Sequence, residues 1–112
     1  MLCDHTLFEW NDVPFMAPEA LLGHPYSFAM DVWSIGVLLY MMVSGELPFA
    51  SPDDKDLVNS IKHASFEFPA SNPAWAATDD KVKYLIGELL VPTAADRPSS
   101  KDVLKNPWIV MG

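Results

Sequence analysis

Polar positions nearly vanish between Val32 and Val43, where Val32, Trp33, Ile35, Val37, Leu38, Leu39, Met41, Met42 and Val43 leave almost no wet face. Ser27 is a good N-cap, Asp31 lies in the first turn where a negative charge suits the helix dipole, and Ser44-Gly45 followed by Pro48 closes the run. The pattern predicts one helix. A helix that is apolar on all sides must be covered on all sides, so it is expected to be the central buried post of the fold. Three amphipathic patterns follow. Ser51-Pro52-Asp53-Asp54 reads as N-cap, Pro at the first helical position and acids in the first turn. Leu57, Val58 and Ile61 then share one face, and Lys62-His63 end the helix. Thr78-Asp79-Asp80 opens a helix whose Val82, Leu85, Ile86, Leu89 and Leu90 fall at helical spacing before Pro92. Ser99 to Asp102 resembles a capping box with aspartate in the acid slot. It opens a last helix that carries Val103 and Leu104 and ends at Asn106-Pro107, with Trp108 and Ile109 as an apolar anchor.

The stretches between are irregular by composition. Residues 1–26 hold Pro14, Pro18, Pro25 and Gly23, with room for one short helical piece around Pro18 to Leu22. Residues 66–75, FEFPASNPAW, combine prolines with aromatic anchors and suit a loop pinned to the core. No run alternates with period two. The expected fold is all-α, without internal repeats.

A length of 112 residues suits one small domain, and half the residues are hydrophobic, well outside the range of disordered chains. Fifteen acids against seven Lys plus Arg give a net charge of -8. That balance argues against nucleic-acid partners, which need a phosphate-neutralising surface, and against anionic membranes. The single cysteine, Cys3, cannot form an intrachain disulfide, and His5, His24 and His63 lack metal-site spacing. The apolar run falls far short of the ~20 residues that span a bilayer, and the opening MLCDHTLFEW has no signal-peptide pattern. A soluble, cytoplasmic or nuclear chain is expected.

The ordered motifs add a sharper reading. Ala17-Pro18-Glu19, Asp31-Val32-Trp33-Ser34-Ile35-Gly36, Gly45-Glu46-Leu47-Pro48-Phe49, Asp96-Arg97-Pro98 and Asn106-Pro107-Trp108-Ile109 resemble, in order, the C-terminal half of a eukaryotic protein kinase. In style they are similar to the calmodulin-dependent and calcium-dependent serine/threonine group. The resemblance implies a single partial kinase domain. Residues 1–26 would be the end of the activation segment with the substrate-docking loop, and residues 27–112 the helical subdomain of the large lobe. It implies that Glu19 pairs with Arg97 as carboxylate and guanidinium. Asp31 would accept hydrogen bonds from the backbone of the family's catalytic loop, Trp33 would wedge beside the loop ending at Glu19, and Asp12, Val13, Pro14, Phe15 and Met16 would line the groove for the substrate residue after the phosphorylated hydroxyl.

Phosphoryl transfer in this family uses a Gly-rich loop, a strand lysine, a catalytic aspartate with a downstream asparagine, and an Asp-Phe-Gly metal ligand. No G-x-G-x-x-G, His-Arg-Asp or Asp-Phe-Gly occurs in the sequence. ATP and Mg are therefore implied for a complete kinase but not for this chain, which is expected to be inactive alone. Its partners would be protein substrates or the rest of a kinase domain. Two departures from the family pattern stand out. Asp12 falls where the family usually has a threonine, and Thr93-Ala94 replaces the Asp-Pro usual before Arg97. The competing reading is a non-catalytic kinase-remnant interaction module.

Overall fold

The computed structural model describes residues 10–104. The expected anchor at Trp108 and Ile109 lies outside them, as do Cys3 and His5. A 3-10 turn, Trp10–Phe15, leads into six helices: α1 (Pro18–Leu21), α2 (Phe28–Ser44), α3 (Asp54–Lys62), α4 (Pro73–Ala76), α5 (Asp80–Leu89) and α6 (Ser100–Leu104), with a second 3-10 turn at Ala94–Asp96. Among the described residues there is no strand.

α2 organises the rest. It starts at Ser27, whose backbone is extended but whose hydroxyl makes no cap bond, and it stops at Gly45 in the left-handed region, φ 73°, where the Gly45 N–H donates to the Met41 carbonyl at 2.7 Å. Only glycine enters that conformation cheaply. One flank of α2 buries Val32, Trp33, Gly36, Val37 and Tyr40. Along that flank Trp33 stacks on Phe49 at 5.5 Å, and Tyr40 sits among Phe66, Phe68 and Trp75 at centroid distances of 6.2, 6.0 and 4.8 Å. The prolines and aromatics of residues 66–75 thus serve as anchors. α5 crosses α2 at Gly36, where an added Cβ would lie 2.9 Å from both Leu89 Cβ and Leu90 Cδ2. The missing side chain sets how closely the two helices approach.

α2 is the central helix, as expected, but among the described residues it keeps an open face. Phe28, Ile35, Leu38 and Met42 are 50%, 42%, 51% and 80% exposed. Their spacing puts them on one face, which stays open among the described residues, so α2 is buried there on one flank only.

Caps differ from the sequence reading in detail. Asp53, not Ser51, caps α3: its carboxylate accepts from the Lys55 and Asp56 N–H groups at 2.8 and 3.2 Å, while the Ser51 hydroxyl oxygen accepts from Asp53 N–H at 3.2 Å. Both orphan amides converge on the one Asp53 Oδ1, whose negative charge also suits the helix N-terminus. Pro52 consequently precedes the helix. In the Thr78-Asp79-Asp80 triplet, Asp79 is the cap, accepting from Lys81 N–H at 2.8 Å, and Thr78 instead donates its hydroxyl to the Ala74 carbonyl at 2.5 Å. Within residues 66–75, expected to be irregular, Asn72 caps the short α4 by accepting from Ala74 N–H at 3.0 Å. The capping box is present: Ser99 N–H donates to Asp102 Oδ2 at 3.4 Å, and Asp102 N–H to Ser99 Oγ at 3.3 Å.

Candidate functional site: a buried arginine that ties Glu19 to the far end of the chain

The segment from Asp12 to Glu19 is seated from below. Val13, inside the first 3-10 turn, and Ala17 have essentially no exposed surface, at 0% and 1%, and both belong to the main core. Asp12 is exposed, whereas Pro14, Phe15 and Met16 are half-buried. Val13 is turned into the core by the tight turn, whereas Asp12, Pro14, Phe15 and Met16 keep accessible surface. Ser34 of α2 fastens this segment, its hydroxyl lying 3.3 Å from the Phe15 carbonyl and 3.2 Å from the Met30 carbonyl.

Pro18 at the first position of α1 places Glu19 in the first turn, where a carboxylate suits the helix dipole. Arg97 arrives from the far end of the chain, just after the second 3-10 turn. Its Nη1 donates to Glu19 Oε2 at 2.5 Å and its Nη2 to Glu19 Oε1 at 2.8 Å, a bidentate pair across 78 residues of sequence. The remaining donors reach backbone carbonyls: Nε to Val91 at 2.8 Å, Nη1 to Ala29 at 2.9 Å and Nη2 to Pro92 at 3.4 Å. A guanidinium with every donor engaged is the condition under which a charge that is only 7% exposed is tolerated. Burial pushes the Glu19 carboxyl up, but the hydrogen bond from Arg97, its own backbone amide and the positive fields of Arg97 and His24 outweigh it and hold the group below its ordinary value.

Trp33 packs against two partners. Its ring carries the Arg97 guanidinium on one side, 5.0 Å from the centroid, and stacks on Phe49 nearly parallel at 11°. Phe49, the Ala29 carbonyl and the Val91 carbonyl are therefore partners that the sequence reading did not assign to this site. Tyr26 is another. Its hydroxyl donates to Asp31 Oδ2, and the bond to Asp31 pushes the Tyr26 hydroxyl up. Asp31 is thus engaged locally, at the mouth of the exposed α2 face.

No cluster of three or more His, Cys, Asp or Glu side chains able to hold a metal exists among the described residues. The cavity beside Arg97, ≈ 600 Å³, is lined by Glu88, Asp96 and Asp102, and the cavity beside Tyr40, ≈ 540 Å³, by Glu46 and Glu67. Carboxylate walls repel a triphosphate, and the Arg97 donors are already committed.

The protein kinase domain family model matches residues 9–109. The chain belongs to the protein kinase domain family. Serine/threonine-protein kinase 33 of Mus musculus is 35% identical over 95 residues, covering 85% of this chain and 19% of that protein. The calcium and calcium/calmodulin-dependent serine/threonine-protein kinase of Lilium longiflorum is 34% identical over 101 residues, covering 90% of this chain and 19% of that protein. The twitchin kinase region from C. elegans superposes with a TM-score of 0.77 at 29% identity over 86% of this chain and 17% of that one. The chain thus spans about a fifth of the length of the kinases it matches. It is a helical piece of a kinase domain, similar to serine/threonine kinases that include calcium/calmodulin-dependent ones.

Proposed function

We propose that this chain supplies the structural and substrate-docking part of an ATP-dependent protein serine/threonine kinase domain and carries none of the groups that transfer the phosphoryl. The observation that carries the reading is the bidentate Arg97–Glu19 pair on Trp33, which fixes the segment before Glu19 to the body of the lobe. A protein substrate would meet that segment at Asp12, Pro14, Phe15 and Met16, with Val13 holding it down. Asp31 and the exposed α2 face are where the catalytic segments of a complete domain would attach, with Tyr26 standing in for them in this chain. ATP and Mg belong to that complete domain.

Two measurements test the proposal. The coding sequence upstream of Met1 is expected to read in frame into His-Arg-Asp and Asp-Phe-Gly; stop codons and unrelated sequence there would reject the kinase-fragment reading. Calorimetric titration of the purified chain with MgATP is expected to give no binding heat, and a saturable signal would reject its inactivity. The alternative, a self-sufficient interaction module, is disfavoured by the uncovered stripe of Phe28, Ile35, Leu38 and Met42.

A further inference from the structure

The sequence holds three tyrosines, and the fold places them in three different settings. Tyr40 is buried and donates its hydroxyl to the Glu67 carbonyl at 2.6 Å, out of reach of a modifying enzyme. Tyr84 is 71% exposed, but it sits in the middle of α5, next to the buried Leu85 and Ile86. A helical backbone spends its N–H and C=O groups internally and cannot lie extended in an enzyme's peptide groove unless the helix opens. Tyr26 is as exposed, at 70%, and lies in the connection between α1 and α2. Residues 24–27 there are neither helix nor strand, and every residue from 22 to 28 is exposed. Pro25 biases His24 towards an extended backbone, and Ser27 is extended at φ -140° and ψ 157°.

We infer that Tyr26 is a phosphorylation site for a protein tyrosine kinase acting on this chain, with Asp31 as the latch that holds its hydroxyl back. In that step the phenolic oxygen attacks the γ-phosphorus of ATP and the bond from that phosphorus to the β–γ bridging oxygen breaks. ADP leaves, and the phenolic proton passes to the base of the modifying enzyme. Asp31 bears on the step because the Tyr26 hydroxyl donates to Asp31 Oδ2, a bond that must open before the hydroxyl can enter an active site. Once esterified, the oxygen has no proton to donate, and a phosphate charge of about -1.5 to -2 repels the Asp31 carboxylate. The modification thus turns an attraction into a repulsion at the first turn of α2, the helix that carries the open apolar face.

The phosphoryl group comes from an added enzyme and is located by mass spectrometry, so the outcome is independent of whether this chain belongs to an active kinase. The full chain is incubated with MgATP and the catalytic domain of a tyrosine kinase of broad peptide specificity, and an enzyme-free arm is subtracted as background. Tyr26 is expected to take up phosphate at least about tenfold faster than Tyr84, whose helix must open first, and Tyr40 to stay unmodified. Tyr26→Phe is expected to remove that label. Asp31→Ala, which unlatches the hydroxyl, is expected to raise the initial rate at Tyr26 about two- to tenfold, the worth of one hydrogen bond, at unchanged far-UV circular dichroism. Asp31→Asn, which keeps the shape and a neutral acceptor, is expected to raise it less. Label chiefly at Tyr84, equal labelling of all three tyrosines, no enzyme-dependent label, or an unaltered or slower rate in both Asp31 variants would each overturn the proposal.

Discussion

At the scale of single residues, the Arg97–Glu19 pair shows what a long-range charge pair must satisfy to exist in a core. Removing either partner strands the other in a dry site, at a cost of roughly 3–5 kcal/mol. Because a small domain has only about 5–15 kcal/mol to lose, Arg97→Ala and Glu19→Ala are each expected to bring the chain close to unfolding. Urea denaturation followed by Trp fluorescence measures this, and a loss below about 1 kcal/mol, the scale of an exposed pair, would contradict a buried role. The pair also sets a pH dependence. The folded Glu19 carboxyl lies below its unfolded value of about 4.3, so the unfolded chain binds the proton first and stability rises with pH through that window. Its contribution is complete above the unfolded value and is lost as pH falls through the folded one. In Glu19→Gln that increment should be missing from the acid limb of a stability-against-pH curve, whereas an unchanged limb would assign acid sensitivity to other carboxylates. Glu19 and Arg97 were legible in the sequence because each sits in a short ordered motif. The cation–π seat on Trp33 and the carbonyls of Ala29 and Val91 were not, since backbone acceptors leave no residue-type signature and the contact spans separations that periodicity cannot reach.

At the scale of elements, periodicity located the four longer helical patterns, and the misses cluster at their ends. Ser51 and Asp53 are both good capping types two positions apart, and the choice between them depends on whether Pro52 opens the helix or precedes it. The observed bonds decide for Asp53. Asp53→Ala should therefore cost about 0.5–2 kcal/mol, while Ser51→Ala stays within about 0.5 kcal/mol. Reversed magnitudes in the same denaturation series would return the cap to Ser51. Gly36 carries a second element-scale prediction. Within the apolar run it signals only an interruption, yet it is the point where α2 meets α5. A methyl there would press on Leu89 Cβ, which is anchored to its own helix, as well as on the more mobile Leu90 Cδ2. Gly36→Ala gains helix propensity, but overpacking is expected to win, with a net loss of about 1–3 kcal/mol. A stabilised Gly36→Ala chain would mean that α5 can move away from α2 freely.

At the scale of the whole molecule, one physical fact separates a piece of a domain from a self-sufficient one: the most apolar helix is buried on one flank and open on the other. Composition could not reveal this, because a run apolar on every side reports only that cover is required, not that the chain itself provides it. The open stripe of Phe28, Ile35, Leu38 and Met42 follows helical spacing along α2, and Asp31, bonded to Tyr26, lies in the same turn region. A contiguous apolar surface of this kind favours association of copies in water. The isolated chain is therefore expected to show concentration-dependent light scattering on heating rather than a reversible cooperative transition. Replacing the two outermost members, in Leu38→Lys/Met42→Lys, removes apolar area without touching the core side of α2. Surface substitutions of that kind change stability by about 0.5 kcal/mol or less. The double variant should then scatter less at equal concentration while keeping the wild-type urea midpoint. A wild-type chain that already melts reversibly and stays monomeric at high concentration would show that the stripe needs no cover, and would favour the interaction-module reading over the fragment. A variant that unfolds would show that Leu38 and Met42 support the core despite their exposure, which the one-sided post does not allow.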